Sequence, residues 1–271
     1  MYQYISKLLN GIDQVANGDL SVELNVKKGG PFKDVFDKFN RMVEELNGVQ
    51  IFREDFINQY SHEFKTPIAS INGFANLLLT KEVTREEELA FLQIIASESE
   101  RLGRLSNSVL MLSKLESLQF ISEKEIYSLD EQIRHCSILL SDKWSRKHID
   151  FSADLEAVTY NGNPDLIQHV FLNLIDNAIK YTPENGEISV KMKKENKMIK
   201  VVVCDSGRGM TKEEQQQVFS KYYQVEQSEK QKGLGLGLSI VHQIVTLSCG
   251  RIEVDSNVNE GSCFTVYLPE K

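Results

Sequence analysis

The sequence lacks an apolar run approaching the roughly 20 residues that a membrane-spanning helix needs, and its start has no signal-peptide pattern. Positive charge is also scarce, because 31 Lys and Arg stand against 39 Asp and Glu and give a formal net charge of -8. Proteins that bind nucleic acid generally present a basic face to its phosphates. We therefore expect the chain, as given, to be soluble and cytoplasmic and to bind no nucleic acid.

Cysteine is rare too, since only four are scattered along the chain, with no close pair and no spacing typical of a zinc site. We interpret all four as buried thiols in a reducing compartment. The composition, with 41% hydrophobic and 26% charged residues over 271 positions, is typical of a folded globular protein with room for two modules and a smaller third. The four cysteines are Cys136, Cys204, Cys249 and Cys263.

The N-terminal half shows helical periodicity in two stretches. Residues 1–48 predict two short amphipathic helices around a polar connector that contains Gly18 and Pro31. Because helices this short cannot bury their apolar stripes alone, they need each other or a second copy. Residues 49–118 predict a long helical hairpin that turns within Lys81–Glu88. Two such hairpins would bury their apolar faces in a four-helix bundle, so we predict a homodimer.

From about residue 125 the pattern changes to mixed helix and strand, which predicts an α+β fold with helices on one face of a sheet. Asn163 and Pro164 are suited to the N-cap and the first position of a helix that ends at Tyr181. A loop rich in Gly, Gln and Lys covers about 206–234. The other predicted helices are Leu129–Lys143 and Leu236–Ser248, and the strands are Ile149–Leu155, Glu187–Lys193, Met198–Cys204, Arg251–Asp255 and Cys263–Leu268.

His62 is the first candidate for chemistry. A projection at 100° per residue places it opposite Tyr60 and Phe64, on the solvent side of its helix. Glu63 could accept a hydrogen bond from the ring Nδ1–H and leave Nε2 as a free nucleophile. Pro67 lies inside the helical pattern at a cost of roughly 3 kcal/mol, which a kink needed for packing would also explain.

Two further groups are typical of a nucleotide site. Asn173 and Asn177 lie one helical turn apart, where amide oxygens could bind Mg²⁺, although a solvated polar face is the ordinary alternative. Asp205 ends a strand beside glycines and could accept a hydrogen bond from an adenine amino group. Alternating glycines before a later helix offer N–H groups to phosphates, in a spacing that fits neither the Walker A nor the Rossmann pattern. The glycines are Gly207 and Gly209 beside Asp205, and Gly233, Gly235 and Gly237 before the helix.

The order of these motifs resembles that of the sensor histidine kinases of bacterial two-component systems over about 50–271. The run Ser61-His62-Glu63-Phe64-Lys65-Thr66-Pro67 matches their H-box, H-E-x-x-T-P, and Asn173–Tyr181 is similar to their N-box. The two glycine motifs follow, with Val218–Tyr223 similar to the F-box between them. Residues 1–48 are similar to a HAMP signalling module, above all at Gly18-Asp19-Leu20 and Phe39-Asn40-Arg41-Met42.

The resemblance implies three domains and two ligands, ATP and Mg²⁺. The domains are a HAMP module at 1–48, a dimerisation and histidine-phosphotransfer domain at 49–118, and an ATP-binding α+β sandwich of the Bergerat type at 125–271. The implied roles are Asn173 and Lys180 at the phosphates, Asn177 at Mg²⁺, Tyr181 at the nucleotide, Asp205 at adenine, Gly207 and Gly209 in the adenine pocket, and Gly233, Gly235 and Gly237 in a lid over the triphosphate.

The implied activity is autophosphorylation of His62 from ATP, followed by transfer of the phosphoryl group to an aspartate in the receiver domain of a response regulator. Glu63 would make His62 nucleophilic, and Lys221 would help to neutralise charge in a loose transition state. Thr66, one turn along from His62, is similar to the family residue that orients water for dephosphorylating the regulator. We therefore expect phosphatase activity as well.

Two positions depart from the family pattern. Leu234 stands where many relatives have Ser or Thr, and Lys221 stands where arginine is frequent and supplies a point charge instead of a fork. Both concern nucleotide affinity more than the class of activity. Because HAMP modules in relatives lie just inside a membrane helix, we expect the chain to be the cytoplasmic portion of a membrane receptor without its sensor half.

Two rival interpretations make different demands on the sequence. A clamp-type Bergerat ATPase, like Hsp90, would have a glutamate in place of Asn173 and no phosphorylated histidine. A non-catalytic signalling scaffold would have lost His62, Asn177, Asp205 or the glycines, and all of these are present. The sequence therefore favours an active kinase.

Overall fold

The computed structural model describes residues 2–25, 32–118, 120, 121, 123–221, 223 and 235–270, without the side chains of 49–60, 62 and 116. It divides into two units, Met1–Ser99 and Glu100–Lys271. Among the helices in these ranges, none is long and apolar enough to pass through a membrane.

The first unit begins with two helices that run parallel to each other, α1 (Tyr2–Ala16) and the start of α2 (Lys33–Thr80). The ring of Tyr4 stacks on that of Phe32, with 5.5 Å between centroids. About two turns further on along both helices, a Cβ added to Gly11 would lie 3.1 Å from the ring of Phe39. Because the contact positions advance in the same direction along both helices, α1 and the start of α2 are parallel.

The connector between these helices is held against α2 by a side-chain amide. Asn40 accepts a hydrogen bond from the Leu24 N–H at 2.8 Å and donates one to the Leu24 carbonyl at 3.0 Å. Phe36, Phe39 and Val43 are buried beside it. The two helices thus cover part of each other's apolar stripe, as short amphipathic helices must.

The prediction of a short second helix is wrong, because α2 runs without a break for 48 residues, from Lys33 to Thr80. Gly48 lies inside it, and a glycine in a helix interior costs only about 1 kcal/mol. Pro67 also lies inside, and its missing N–H and its ring make it a costlier position than Gly48. The boundary at 48/49 between the first two domains is therefore not a helix end, and it stays a prediction.

The predicted helical hairpin is confirmed, and its second helix continues past Ser99, where the first unit ends. After Lys81 the chain turns, and α3 (Arg85–Ser117) begins with a reciprocal cap in which Glu87 accepts from the Thr84 N–H at 2.8 Å. The rings of Phe74 on α2 and Phe91 on α3 lie 5.2 Å apart between centroids. The hairpin therefore closes on aromatic packing between its two arms.

The second unit contains a five-stranded sheet in the order β2-β4-β5-β7-β6. β2 pairs with β4 in parallel, and the other neighbours are antiparallel. A separate antiparallel pair joins β1 to β3. The strands are β1 Glu125–Ser128, β2 Asp150–Leu155, β3 Thr159–Gly162, β4 Glu187–Glu195, β5 Met198–Asp205, β6 Arg251–Asn257 and β7 Gly261–Pro269.

One face of this sheet is covered by helices, so the predicted α+β architecture is confirmed. On β5 the buried residues Ile199, Val201 and Val203 alternate with less buried ones, as the period of two requires. α6 contacts α4, α8 and β5, and it forms the centre of the helical layer. The helices of the second unit after α3 are α4 Leu129–Leu139, α5 Ser141–Arg146, α6 Pro164–Tyr181, α7 Lys212–Gln217 and α8 Gly237–Leu247.

Three predictions about local structure need correction. The helix predicted over Leu129–Lys143 is two helices, α4 and α5, which meet at Leu140. The loop predicted over about 206–234 contains α7, and Thr211 and Glu214 form a complete capping box at its start. The short strands β1 and β3 were not predicted, because four residues are too few to show a period.

The interpretation of all four cysteines as buried thiols is wrong for three of them. Cys204 and Cys263 form a disulfide, because the antiparallel pairing of β5 and β7 places residues 59 apart directly opposite each other. Cys249 is exposed. Only Cys136 is a buried thiol, and burial raises its pKa to about 11. Distance along the chain is therefore a poor guide to pairing across a sheet.

The loop after β5 is locked against the turn between β6 and β7 at a single glycine. Gly209 has φ +66°, in the left-handed region that L side chains rarely adopt. A Cβ added there would overlap the carbonyl oxygen of Asn257. Both the conformation and the close approach therefore require glycine.

We predict that Gly209→Ala lowers the free energy of unfolding of the second unit by at least about 2 kcal/mol, because the side chain adds strain and a clash with backbone. The measurement is urea unfolding followed by the fluorescence of Trp144, which lies in this unit and is the only tryptophan. Gly103→Ala is the matched control, since nothing lies within 4 Å of its Cβ position in α3, and it should be neutral or stabilising by up to about 1 kcal/mol. Equal unfolding midpoints for the two variants would contradict the packing described.

Candidate functional site

The helix α6 presents a polar row beside the core of the second unit. It begins as predicted, with the Asn163 side chain accepting from the Leu166 N–H at 2.9 Å and Pro164 in the first turn. Asn173, Asn177 and Lys180 are half-buried on its open side. Its buried face consists of Ile167, Val170, Phe171, Leu174, Ile175, Ala178 and Ile179.

Asn173 contacts the start of α8. Its Oδ1 lies 2.7 Å from the position that a Cβ of Gly237 would occupy, and its Nδ2 donates to the His169 carbonyl at 2.7 Å. α8 begins at Gly237, so the unpaired N–H groups of its first turn lie next to this amide. The fold thus brings together one predicted asparagine and the last predicted lid glycine, at the end of a helix that favours negative charge.

Asp205 ends β5 on the same side of the sheet as the buried Val201 and Val203. Its carboxyl Oδ1 accepts a hydrogen bond from the Gly207 N–H at 2.8 Å. Burial raises the pKa of this carboxyl to about 6, and the N–H groups of Gly207 and Ser262 act in the opposite direction. A carboxyl group held this far from water is a strong acceptor for an amino group of a ligand.

The end of α6 meets the loop that follows Asp205. A Cβ added to Gly207 would lie 2.7 Å from the Tyr181 carbonyl oxygen and 2.6 Å from Asp205 Oδ1. The Tyr181 ring has the Lys180 ammonium 5.0 Å and the Arg208 guanidinium carbon 5.6 Å from its centroid, within cation–π range. The end of α6 and the loop after β5 thus form one corner of the second unit, which contains Lys180, Tyr181, Asp205 and Gly207. Arg208 adds a positive charge there, for which the sequence motifs predict no role.

A cavity of about 600 Å³ opens at this corner. Three of the predicted site residues line it, namely Lys180, Tyr181 and Gly207. Three basic side chains against one acidic side chain give it a positive lining. The lining is Lys147, Lys180, Tyr181, Thr182, Pro183, Glu184, Ser206, Gly207, Arg208 and Asn259.

Other predicted residues lie apart from this corner. Phe219, in the segment similar to an F-box, packs its ring against those of His242 on α8 and Phe264 on β7, at 5.6 and 6.3 Å between centroids. Lys221 follows and is half-buried. Gly235 is described, with φ +65°, two residues before α8. Gly233 and Leu234 lie outside the described residues.

The predicted H-box belongs to the first unit. His62 is part of α2, but its side chain lies outside the described part of the structure. Glu63 is half-buried and Thr66 is exposed. Because His62 and Thr66 are four residues apart in a helix, they share one face of α2.

The corner fits an adenine nucleotide on the chemistry of its donors and acceptors. Asp205 supplies an acceptor whose pKa is raised by partial burial, and Lys180 supplies positive charge. The start of α8 approaches Asn173 so closely that a Cβ at Gly237 would lie 2.7 Å from its Oδ1. The amide oxygen of Asn177 is a hard ligand suited to Mg²⁺. Within the described residues, no group of three His, Cys, Asp or Glu could hold a metal ion.

Comparisons with known protein families match both units. The family described as Histidine kinase-, DNA gyrase B-, and HSP90-like ATPase matches residues 162–271. The His Kinase A (phospho-acceptor) domain matches residues 52–118. The two matched ranges contain the α6–β5 corner and His62, respectively.

Individual proteins agree with this assignment. The heme sensor protein HssS of Staphylococcus saprophyticus is 28% identical over 264 residues, which are 97% of this chain and 56% of that protein. The catalytic domain of histidine kinase ThkA is 30% identical with a TM-score of 0.50, over 55% of this chain and 96% of that one. Histidine kinase ThkA in complex with the response regulator TrrA has a similar fold, with a TM-score of 0.65 at 24% identity, over 92% of this chain and 68% of that one.

The chain spans about half or less of the length of the curated relatives it matches. It nevertheless contains a match to the phospho-acceptor domain at residues 52–118, followed by a match to the ATPase domain at residues 162–271. The chain therefore belongs to the sensor histidine kinases of bacterial two-component systems.

Proposed function

We propose that this protein transfers the γ-phosphoryl group of ATP to His62 and then to an aspartate in the receiver domain of a response regulator. One observation carries the proposal. In the second unit, α6 contacts the start of α8 through Asn173 and Gly237, and its end borders Gly207, which donates to the carboxyl group of Asp205; this arrangement is suited to an adenine nucleotide. The H-E-x-x-T-P segment on α2 supplies the phospho-acceptor.

The nucleotide would be held at three points. Asp205 accepts a hydrogen bond from the adenine amino group, which its dry surroundings strengthen. Asn177 holds Mg²⁺ through its amide oxygen, and Mg²⁺ when bound neutralises phosphate charge. Asn173 and Lys180 would contact the phosphates, Tyr181 would border the nucleotide, and Gly207 and Gly209 would shape the adenine pocket. Lys221 would help to neutralise the phosphate charge, and Gly233, Gly235 and Gly237 are proposed for a lid over the triphosphate.

The reaction consists of two phosphoryl transfers. In the first, Nε2 of His62 attacks the γ-phosphorus, a P–N bond forms, the bond from the γ-phosphorus to its bridging oxygen breaks, and ADP leaves. Glu63 orients the ring by accepting a hydrogen bond from Nδ1–H and takes up the proton that the ring loses. In the second, a carboxylate oxygen of the regulator attacks the same phosphorus, the P–N bond breaks, and His62 regains its proton.

A homodimer is part of this proposal. The described part of the hairpin still exposes large apolar side chains, among them Leu79, which is 82% exposed. A second hairpin would cover such positions in a four-helix bundle formed by residues 49–118. The exposed large apolar side chains on the described part of the hairpin are Ile68, Leu79, Leu89, Leu92 and Leu110.

The segment 1–48 is proposed to be a HAMP module that passes a signal to the hairpin. The parallel helices α1 and α2, joined by a connector that Asn40 fixes, support this assignment. Because α2 continues unbroken to Thr80, a rotation at its start would be carried to His62. We propose that the segment connects the kinase to a membrane-bound sensor.

The receiver domain of a response regulator is the proposed partner, and dephosphorylation of that partner is a proposed second activity. The complex of ThkA with TrrA shows that a kinase of similar fold binds a regulator. Thr66 shares a face of α2 with His62 and is exposed, so its hydroxyl could orient a water molecule towards a phosphorylated aspartate bound there.

We predict that the protein incubated with γ-labelled ATP and Mg²⁺ acquires a label that acid removes and alkali does not, as a phosphoramidate should. His62→Gln should abolish it, because the nucleophilic nitrogen is lost. His135→Gln, an exposed histidine on α4, is the matched control and should label normally. Mass spectrometry of the labelled peptide locates the phosphate, and a label on any other residue would reject the proposal.

We predict that Thr66→Ala keeps autophosphorylation within about twofold but slows removal of phosphate from the regulator at least tenfold, about 1.4 kcal/mol in activation free energy. The measurement follows loss of label from a purified phosphorylated receiver domain. Thr80→Ala is the control, because Thr80 is an exposed threonine on the same helix. In the described contacts its hydroxyl donates only to the Asn76 carbonyl, one helical turn earlier. Unchanged dephosphorylation by Thr66→Ala would remove this role from Thr66.

A further inference from the structure

We infer that Lys147 is a positioning residue of the nucleotide site, because its ammonium group fixes the last turn of α6, which borders Gly207 in the loop that follows Asp205. The inference rests on the proposed function and adds a residue that neither motif contains. Lys147 lies in the turn between α5 and β2, far in sequence from α6 and from Asp205.

The last turn of α6 has carbonyl groups without partners inside the helix, as every helix end does. Thr182 satisfies one of them, because its N–H and its hydroxyl both donate to the Ala178 carbonyl, at 3.0 and 2.7 Å. The carbonyls of Ile179 and Lys180 follow. They need donors from elsewhere in the chain.

Lys147 supplies these donors from a single atom. Its Nζ lies 2.7 Å from the Ile179 carbonyl oxygen, 3.1 Å from that of Lys180 and 2.9 Å from that of Thr182. An ammonium group has three N–H donors, so all three are used. Its positive charge also lies at the negative end of the helix dipole.

The backbone at Lys147 is fixed as well. Its carbonyl accepts from the Asn185 N–H at 2.9 Å, which ties the turn after α5 to the turn between α6 and β4. The next residue, His148, has φ +52° and donates its N–H to the Ser145 carbonyl at 3.0 Å. These backbone hydrogen bonds fix the turn from which the Lys147 side chain extends, so its ammonium group can bind three carbonyl groups at once.

The position of this helix end matters for Asp205. The Tyr181 carbonyl belongs to the turn that Lys147 holds, and it borders Gly207 so closely that a Cβ there would lie 2.7 Å away. Gly207 in turn donates its N–H to Asp205 Oδ1 at 2.8 Å. A shift of the α6 end would therefore displace Gly207 and loosen the hydrogen bond that orients the carboxyl group.

A neighbouring lysine shows what the same side chain does without this geometry. Lys143 also reaches α6, but its Nζ pairs with the Asp176 carboxylate at 2.5 Å, and both side chains are about half exposed. Ion pairs of this kind contribute little. Lys147 by contrast is half-buried, and burial lowers the pKa of its ammonium group, while Glu184 acts in the opposite direction. Lys143 is therefore the matched control.

The experiment measures binding of adenosine and of ADP to the whole chain by nuclear magnetic resonance, at a temperature where every variant is folded. Lys147→Met should weaken adenosine binding about tenfold, because the acceptor for adenine is no longer oriented. Lys143→Met should stay within twofold of the unmodified protein. Lys147→Arg keeps the charge, but its planar fork cannot place three donors at one point, so it should lie between the two.

A purely structural role is tested separately with the Gly207 amide resonance. Lys147→Met and Lys147→Arg should shift this resonance, and Lys143→Met should not, whatever each variant does to the unfolding midpoint. The KM for ATP should rise in proportion to the loss of adenosine affinity, with kcat changed less than threefold. If Lys147→Met does not fold, Lys147→Arg carries the test with the same readouts.

Two failures can be told apart. If the unmodified protein binds neither adenosine nor ADP, the proposed function fails. If it binds both, and the folded Lys147 variants bind adenosine as tightly as Lys143→Met does, the inference about Lys147 is wrong and the proposed function stands.

Discussion

The partial burial of the Asp205 carboxyl group at the end of β5 is the constraint on which the arrangement of the candidate site depends. Burial raises its pKa from 3.8 to about 6. Because the folded-state pKa lies above the unfolded value, the protonated form is favoured by folding, and this contribution to stability is lost as the pH rises through about 6. Near neutral pH the Asp205 carboxyl group is therefore charged, although its burial favours the neutral form. Such a cost is typical of a functional site.

Several contacts of the fold stabilise the charged carboxyl group of Asp205, which stays partly exposed and can meet a ligand. Two backbone N–H groups, from Gly207 and Ser262, point at the carboxyl group and offset part of the burial. Gly207 can do so only because it has no Cβ to meet the Tyr181 carbonyl. The helix end that presents Tyr181 is held in turn by the Lys147 ammonium group. Phosphoryl transfer through a loose transition state depends mainly on positioning and charge, so rigidity of this kind bears directly on the reaction proposed for this chain.

Much of this arrangement could be predicted from the sequence where the signal is local. The bounds of α6 were predicted correctly, because Asn163 and Pro164 mark its start and the apolar period fixes its faces. That α6 and Asp205 lie in one site was predictable only from the resemblance to a family, because no local sequence pattern links positions so far apart. Long-range contacts were missed for the same reason. The pairing of Cys204 with Cys263 depends on strand register, and the role of Lys147 depends on a turn that no motif marks.

Other errors came from signals that were weighed wrongly. The sequence predicts a boundary at 48/49, but α2 runs through it, since Gly48 costs too little to end a long helix. Glycine and glutamine dominate the segment around α7 and predict a loop, whereas the spacing of Thr211 and Glu214 is that of a capping box and indicates a helix start. In this segment the spacing of capping residues predicts the structure better than the composition does.

The carbon-13 chemical shift of the Asp205 carboxyl group, followed from pH 4 to 8 and assigned with Asp205→Asn, measures the central claim directly. In the free protein the shift should titrate with a pKa near 6. Saturating adenosine should lower that pKa, because an amino group that donates to the carboxylate stabilises its charged form. A pKa near the ordinary value of 3.8 that adenosine does not change would contradict both the buried carboxyl group and its role in binding adenine.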